Sequence, residues 1–201
     1  RKGSTVLREG GSMSDITVRG VLSRNKNGEL IEEAAQYQYD QTQEIKLGRS
    51  TPDFQMGWRN TLSFKNIDFS FLFNGSFGGI VLSGTQPYLD AYGVSKASAE
   101  ARDAGGVMVN GKLYDAQKYY NTIKKLPGYY SYDATNVRLQ EVSLSYSLDG
   151  KHFCDKVKRV TLGVIGTNLW MIYNKAPFDP QLTFGVGTYA AKELFMTPSA
   201  A

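Results

Sequence analysis

Hydrophobic and polar residues alternate along several stretches of this chain with a period of two, the spacing of a β-strand. In Met56-Gly57-Trp58-Arg59-Asn60-Thr61-Leu62-Ser63-Phe64, the residues Met56, Trp58, Leu62 and Phe64 share one face, and Arg59, Thr61 and Ser63 share the other. After a tight turn at Lys65-Asn66, Ile67, Phe69, Phe71 and Phe73 alternate with Asp68, Ser70, Leu72 and Asn74. Two strands joined by two residues predict a β-hairpin. Later, Val142, Leu144, Tyr146 and Leu148 alternate with serines, and Val160, Leu162, Val164 and Gly166 alternate with Thr161, Gly163, Ile165 and Thr167. The pattern predicts strands near 13–24, 55–64, 67–77, 137–148 and 159–173, with a turn at Asn25-Lys26-Asn27-Gly28.

The connections are uneven. Those at 65–66 and 149–158 are short, whereas 25–53, 78–136 and 174–201 are long. Short helices are predicted within 95–103 and 114–125. A 50-residue connection counts against a compact soluble sandwich. It is expected in an outer-membrane barrel, where turns are short on one side and loops long on the other.

Composition fits that reading. The 201 residues include 13 Tyr, 10 Phe and 2 Trp, and the net charge is +4. The mean hydropathy is -0.35, which a barrel tolerates because the polar faces of its strands offset the apolar ones. No apolar run is long enough for a transmembrane helix. One Cys and one His leave no disulfide framework, no cysteine-based zinc site and little for a catalytic triad. No Lys/Arg cluster points to nucleic acid.

Candidate chemistry is sparse. His152 and Cys154 stand two apart in a polar turn with no orienting third group. Asn74-Gly75-Ser76-Phe77-Gly78-Gly79 lacks the Gly-Lys-Ser/Thr and the following helix of a phosphate cradle. Its glycines suit a bend where a strand leaves the sheet. Glu29, Glu32, Glu33, Asp40 and Glu44 do not follow the spacing of a calcium loop and read as solvated. The candidate ligand or lid contacts are Tyr114, Tyr119, Tyr120, Tyr129, Tyr130 and Tyr132, since exposed tyrosines offer flat faces and hydroxyls. The competing reading is that these rings pack the loop or form an interfacial girdle. No metal site, cofactor or catalytic group is expected.

Three blocks carry a family resemblance. Gly48 to Ser70, with Pro52-Asp53-Phe54, Gly57, Asn60-Thr61 and Phe64-Lys65-Asn66-Ile67-Asp68-Phe69-Ser70, resembles a block near the C-terminus of SusC/RagA-family TonB-dependent outer-membrane transporters. Val137-Arg138-Leu139-Gln140-Glu141-Val142-Ser143-Leu144-Ser145-Tyr146 resembles a strand of that family. Gly166-Thr167-Asn168-Leu169-Trp170, followed by Phe178-Asp179-Pro180, resembles a third segment. Together they span about residues 45–201.

The resemblance implies an all-β fold: an antiparallel transmembrane β-barrel segment, about five strands of a larger, 22-stranded barrel with long extracellular loops. Five strands do not close a barrel. The chain therefore reads as a C-terminal portion, with the plug domain and the TonB-contacting segment outside it. The family's last strand begins where Thr197-Pro198-Ser199-Ala200-Ala201 stands. The implied activity is active import of large nutrients, glycans or peptides, with no enzymatic step. The implied partners are a SusD-like surface lipoprotein lid, the remainder of the transporter, the TonB complex and outer-membrane lipid. The implied location is the outer membrane of a Gram-negative, Bacteroidetes-like bacterium. The alternative from another class is a soluble or secreted β-rich module that binds carbohydrate or protein.

Overall fold

The computed structural model describes residues 4–5, 9–12, 14–149, 159–181 and 192–193. In chain order the strands are β1 Ser4–Thr5, β2 Asp15–Leu22, β3 Tyr39–Arg49, β4 Phe54–Phe64, β5 Ile67–Phe77, β6 Ile80–Ser83, β7 Val107–Val109, β8 Lys112–Tyr114, β9 Ser131–Asp133, β10 Asn136–Asp149, β11 Arg159–Asn174 and β12 Lys192–Glu193. The helices are α1 Gln86–Ala91, α2 Lys96–Asp103 and α3 Ala116–Ile123, followed by a 3-10 turn at Pro127–Tyr130. The chain is mainly β, and its pairings are antiparallel except for the short β6–β12 contact. Two compact units are present. One comprises Pro52–Gly78 and Ala134–Asp179; the other includes the chain up to Thr51 and Gly79–Asp133.

The first unit is a four-stranded antiparallel sheet in the order β11-β10-β5-β4. Its registers place whole rows of residues side by side. Leu62, Phe69, Leu144 and Val164 form one row; Phe64, Ile67, Tyr146 and Leu162 form the next; Trp58, Phe73, Leu139 and Trp170 form a third. Because side chains alternate across a strand, these rows lie on one face, interrupted by Asn60, Gly75 and Gly166. The face is open: Val164 is 76% exposed and Trp58 55%. Its aromatic rings pack laterally, with Phe54 stacked on Phe77 at 4.6 Å and Trp58 edge-on to Phe71 at 5.4 Å.

The opposite face is mostly polar, with Arg59, Thr61, Ser63, Ser70, Glu141, Ser143, Ser145 and Ser147 on it. These groups bond across strands. Arg59 Nη2 donates to Glu141 Oε2 at 3.2 Å, the Ser70 and Ser143 hydroxyls lie 2.7 Å apart, and the Ser147 and Thr161 hydroxyls 3.0 Å apart. Leu72 and Ile165 are apolar exceptions on this face.

The Lys65-Asn66 turn is tight, with Lys65 in the left-handed region at φ +52°. The amide of Ser147 donates to the Asn66 carbonyl at 2.7 Å. The sheet end that holds this turn therefore also holds the ends of β10 and β11 nearest 150–158. The exit of β5, the start of β10 and the end of β11 lie at the other end, where the long connections attach. His152 and Cys154 lie outside the described residues.

The second unit corrects two expectations. The segment 25–53 is not a loop throughout, since it contains the eleven-residue strand β3. That strand, Tyr-Asp-Gln-Thr-Gln-Glu-Ile-Lys-Leu-Gly-Arg, has few apolar residues, so its alternation is faint. Its partner β2 falls where a strand was expected, and pairs with β1 and β3 rather than with the four-stranded sheet. Ile16 and Val18 of β2 are buried in a cluster with Leu82, whereas the apolar residues of β4 are exposed. The segment 78–136 also folds: it carries three helices, the β7–β8 hairpin and the β6–β9 pair. Helices α2 and α3 fall where predicted and α1 is additional. Ser95 and Asp115 cap α2 and α3 by accepting from the amides of Ser98 and Lys118. Among the described residues no helix is long and apolar enough to cross a membrane.

Candidate functional site

The six tyrosines singled out in the sequence occupy different environments within the second unit. Tyr114 and Tyr130 belong to its core, with Leu22, Leu30, Tyr37, Ile123 and Leu126. The Tyr114 hydroxyl accepts from the Leu30 amide at 3.1 Å, and Tyr114 meets Tyr37 edge-on at 5.5 Å. Tyr119, Tyr120 and Tyr132 are half-buried against the same core. Tyr129 is 41% exposed. The core thus draws on 20–40 and 107–132 together. Tyr37 N donates to Thr122 Oγ1 at 2.8 Å, and Lys112 and Lys118 pair with Glu29 and Glu32 at 2.9 and 2.5 Å.

Burial dominates the electrostatics here. Desolvation raises the pKa of Tyr119 and Tyr120, and raises that of Tyr130 far above the ordinary tyrosine value. The charge of Asp90 adds to the effect at Tyr130. The Tyr130 hydroxyl is buried without a hydrogen-bond partner among the described residues, although it faces Asp90. Lys124 Nζ lies over the rings of Tyr88 and Tyr92, at 4.6 and 4.9 Å from their centres. Both rings are exposed, and neither was singled out from the sequence.

A second constellation, also not singled out, lies in the four-stranded sheet at the end that carries the long connections. Arg138 of β10 is 2% exposed and Asp179 equally so. Nη2 of Arg138 donates to Asp179 Oδ1 at 2.6 Å and Nη1 to Asp179 Oδ2 at 3.1 Å, a bidentate pair. Nη1 also reaches Asn168 Oδ1 at 3.1 Å, while Nε and Nη2 reach Asn136 Oδ1 at 3.3 and 3.2 Å. Asn136 Nδ2 donates to the Ala134 carbonyl at 2.8 Å.

Local backbone geometry builds this knot. Both pairings of β10 shift register between Leu139 and Glu141: Gln140 is an extra residue against β5, whereas β11 sets two residues, Asn168 and Leu169, against it. Opposite this bulge, Asn168 adopts φ +53°. Asn tolerates this left-handed conformation better than most residues, and its amide oxygen meets the guanidinium. Asn174 then folds the chain back by donating to the Phe178 carbonyl at 2.7 Å and accepting from Ala176 N at 3.2 Å. That return brings Asp179 to Arg138. The sequence signal was a lone Arg in a strand of alternating Ser and apolar residues, with a lone Asp beyond the next strand. Among the described residues no group of three or more His, Cys, Asp or Glu is placed to hold a metal ion.

No protein-family model matches the chain. Two curated proteins of Formosa agariphila do. TonB-dependent receptor P3 is 31% identical over 140 residues, covering 69% of this chain, and TonB-dependent receptor P26 is 30% identical over 152 residues, covering 68%. The chain belongs to the TonB-dependent receptors.

This receptor chain spans 14% of the length of each of those relatives. Its fold resembles part of a solved structure, the RagAB peptide importer in its closed-closed state. The TM-score is 0.52 at 14% identity, over 89% of this chain and 20% of that one. TonB-dependent receptors are outer-membrane proteins, and the open apolar face of the four-stranded sheet suits that location. The relatives are receptors rather than enzymes. Residues quoted for the family resemblance meet physically, since Arg138 of one block bonds to Asn168 and Asp179 of another.

Proposed function

We propose that the chain is part of an outer-membrane TonB-dependent active transporter that imports large nutrients, glycans or peptides, beneath a SusD-like lipoprotein lid. The observation that carries this reading is the division of the four-stranded sheet into an apolar, aromatic face open to the surroundings and a hydrogen-bonded polar face. In water such a face would be an aggregation liability; against lipid it is a wall, with the polar face turned to the barrel interior. The dimensions agree. Phe54 to Phe64 spans about 34 Å along the strand, or about 24 Å of height at a 45° tilt, close to the roughly 25 Å apolar band of such barrels.

On this reading the four strands are part of a larger, 22-stranded barrel whose plug and TonB-contacting segment lie elsewhere in the transporter. The connection 78–136 faces outward, toward ligand or lid. Among the tyrosine candidates, the exposed Tyr129 and the half-buried Tyr119, Tyr120 and Tyr132 would make that contact, while Tyr114 and Tyr130 belong to the core. The fold's resemblance to part of the RagAB importer supports a lid partner.

The test is fractionation and transport. The full-length protein should sediment with outer membranes, a tag inserted at Gly111 should be accessible on intact cells, and nutrient uptake should stop when TonB is deleted. Recovery of the protein from the aqueous periplasmic or secreted fraction would instead favour the soluble binding module.

A further inference from the structure

Three helices of the second unit surround a groove of about 280 Å3, lined by Asp90 and Tyr92, Ser98 and Arg102, and Gln117 and Tyr120. Several of its polar groups are uncommitted. Neither the Arg102 guanidinium nor the Gln117 amide has a side-chain partner among the described residues. Asp90 is buried, and its Oδ1 accepts from Gln86 Nε2 at 2.8 Å. Tyr92 stands at the rim, 72% exposed. The hydroxyl of Tyr120 donates to the Ala97 carbonyl at 3.3 Å, which fixes its ring between α2 and α3. Gly93, at φ +74°, leaves room for the Arg102 guanidinium: a Cβ there would come within 2.8 Å of Nη1.

We propose that this groove binds one sugar ring of a glycan chain. The inference rests on the transporter reading, in which 78–136 faces outward, and it names the ligand class of that surface. Size is the first reason. A volume just below the usual 300–1,000 Å3 of ligand sites suits a single small ring rather than an extended segment. Chemistry is the second. Adjacent hydroxyls both donate and accept, and the groove offers a carboxylate acceptor beside guanidinium and amide donors, with tyrosine faces for the C–H side of a ring. Charge is the third. The lining holds one carboxylate and one guanidinium, and the further charge at its rim, Lys124 over the Tyr92 ring, is a cation that suits an acidic sugar as well as a neutral one. Backbone is the fourth. An extended peptide is held mainly through a free strand edge, whereas this lining comes from helices and the turns between them.

The experiment uses the full-length transporter in detergent, probed with a printed array of neutral, uronic and sulfated oligosaccharides and with a random-sequence peptide library. The wild type should retain at least one glycan. Arg102→Ala combined with Gln117→Ala should weaken that retention by about tenfold or more, the loss expected for one or two hydrogen bonds to a charged or amide donor. Both positions are exposed, so folding should survive. Tyr92→Ala should weaken binding where Tyr92→Phe does not. Retention of no glycan, equal retention by the double variant, or retention of peptides alone overturns the proposal. Outer-membrane location and TonB-dependent uptake are read separately in the same variants, so failure of the groove and failure of the transporter reading are distinguishable.

Discussion

Arg138 and Asp179, 41 residues apart in sequence, meet in a bidentate ion pair with both side chains withdrawn from solvent. Removing one partner strands the other charge in the interior, which costs about 3–5 kcal/mol, whereas replacing both with apolar groups of similar volume restores much of the loss. Arg138→Met and Asp179→Leu should each lower the temperature at which the folded transporter converts to its slow-migrating form on SDS gels. The double variant should be more stable than either single one. Additive losses would show that the two groups do not act as a pair.

Residues on the two faces of β10 should respond differently to a positive charge. Val142 lies in the middle row of the apolar face, beside Phe71 and Gly166. Arg at a lipid-facing midplane position costs about 2–4 kcal/mol, so Val142→Arg should reduce folded transporter in the outer membrane. Ser145 is on the polar face opposite Asp68, and Ser145→Arg should assemble normally. Immunoblots of outer-membrane fractions with and without heating read both outcomes.

The core of the second unit depends on hydroxyls as well as rings. Thr122 is fully buried and its Oγ1 accepts from the Tyr37 amide. Thr122→Val keeps the shape and orphans that amide, at a cost of about 1–3 kcal/mol. Tyr114→Phe does the same to the Leu30 amide. Hydrogen exchange should quicken across 30–38 in both variants and stay unchanged in Tyr129→Ala.

Acid should loosen one surface tie. The hydrogen bond from Lys112, then that from Asn25, holds the Glu29 carboxylate below its ordinary value of 4.5, and the same contact raises Lys112. A lowered carboxylate pKa stabilises the fold above its unfolded value, and the gain disappears as pH falls through the folded value. The tie should therefore persist at neutral pH, weaken below about pH 4.5, and weaken with salt because both groups are exposed. Carboxyl NMR titration should place Glu29 below 4.5, and Lys112→Met should raise it part of the way back, leaving the share held by Asn25.

Much of the wall was legible in the sequence because its alternation is written in large residues. Trp58, Phe69, Phe71 and Leu144 leave no doubt which face is apolar, and Lys65-Asn66 marks the turn. β3 was not legible, since Gln41, Thr42, Gln43 and Glu44 give a strand nothing to contrast. The folded character of 78–136 was only partly visible. Its helices are short, and its core borrows Leu22, Leu30 and Tyr37 from distant sequence. The Arg138 knot was hidden for another reason: its geometry depends on a bulge at Gln140 and a left-handed Asn168, and residue spacing reports neither.

The point where β5 ends and β10 begins carries a further consequence. Ser76 pairs with Asn136, and Gly78 N donates to Thr135 Oγ1 at 3.0 Å, so the intervening segment departs and returns through adjacent positions. The ladder continues across this point much as it would in a plain hairpin. Lengthening, shortening or replacing 79–133 therefore leaves the register of the wall untouched. Such a joint uncouples the length of the inserted segment from the pairing of the four-stranded sheet.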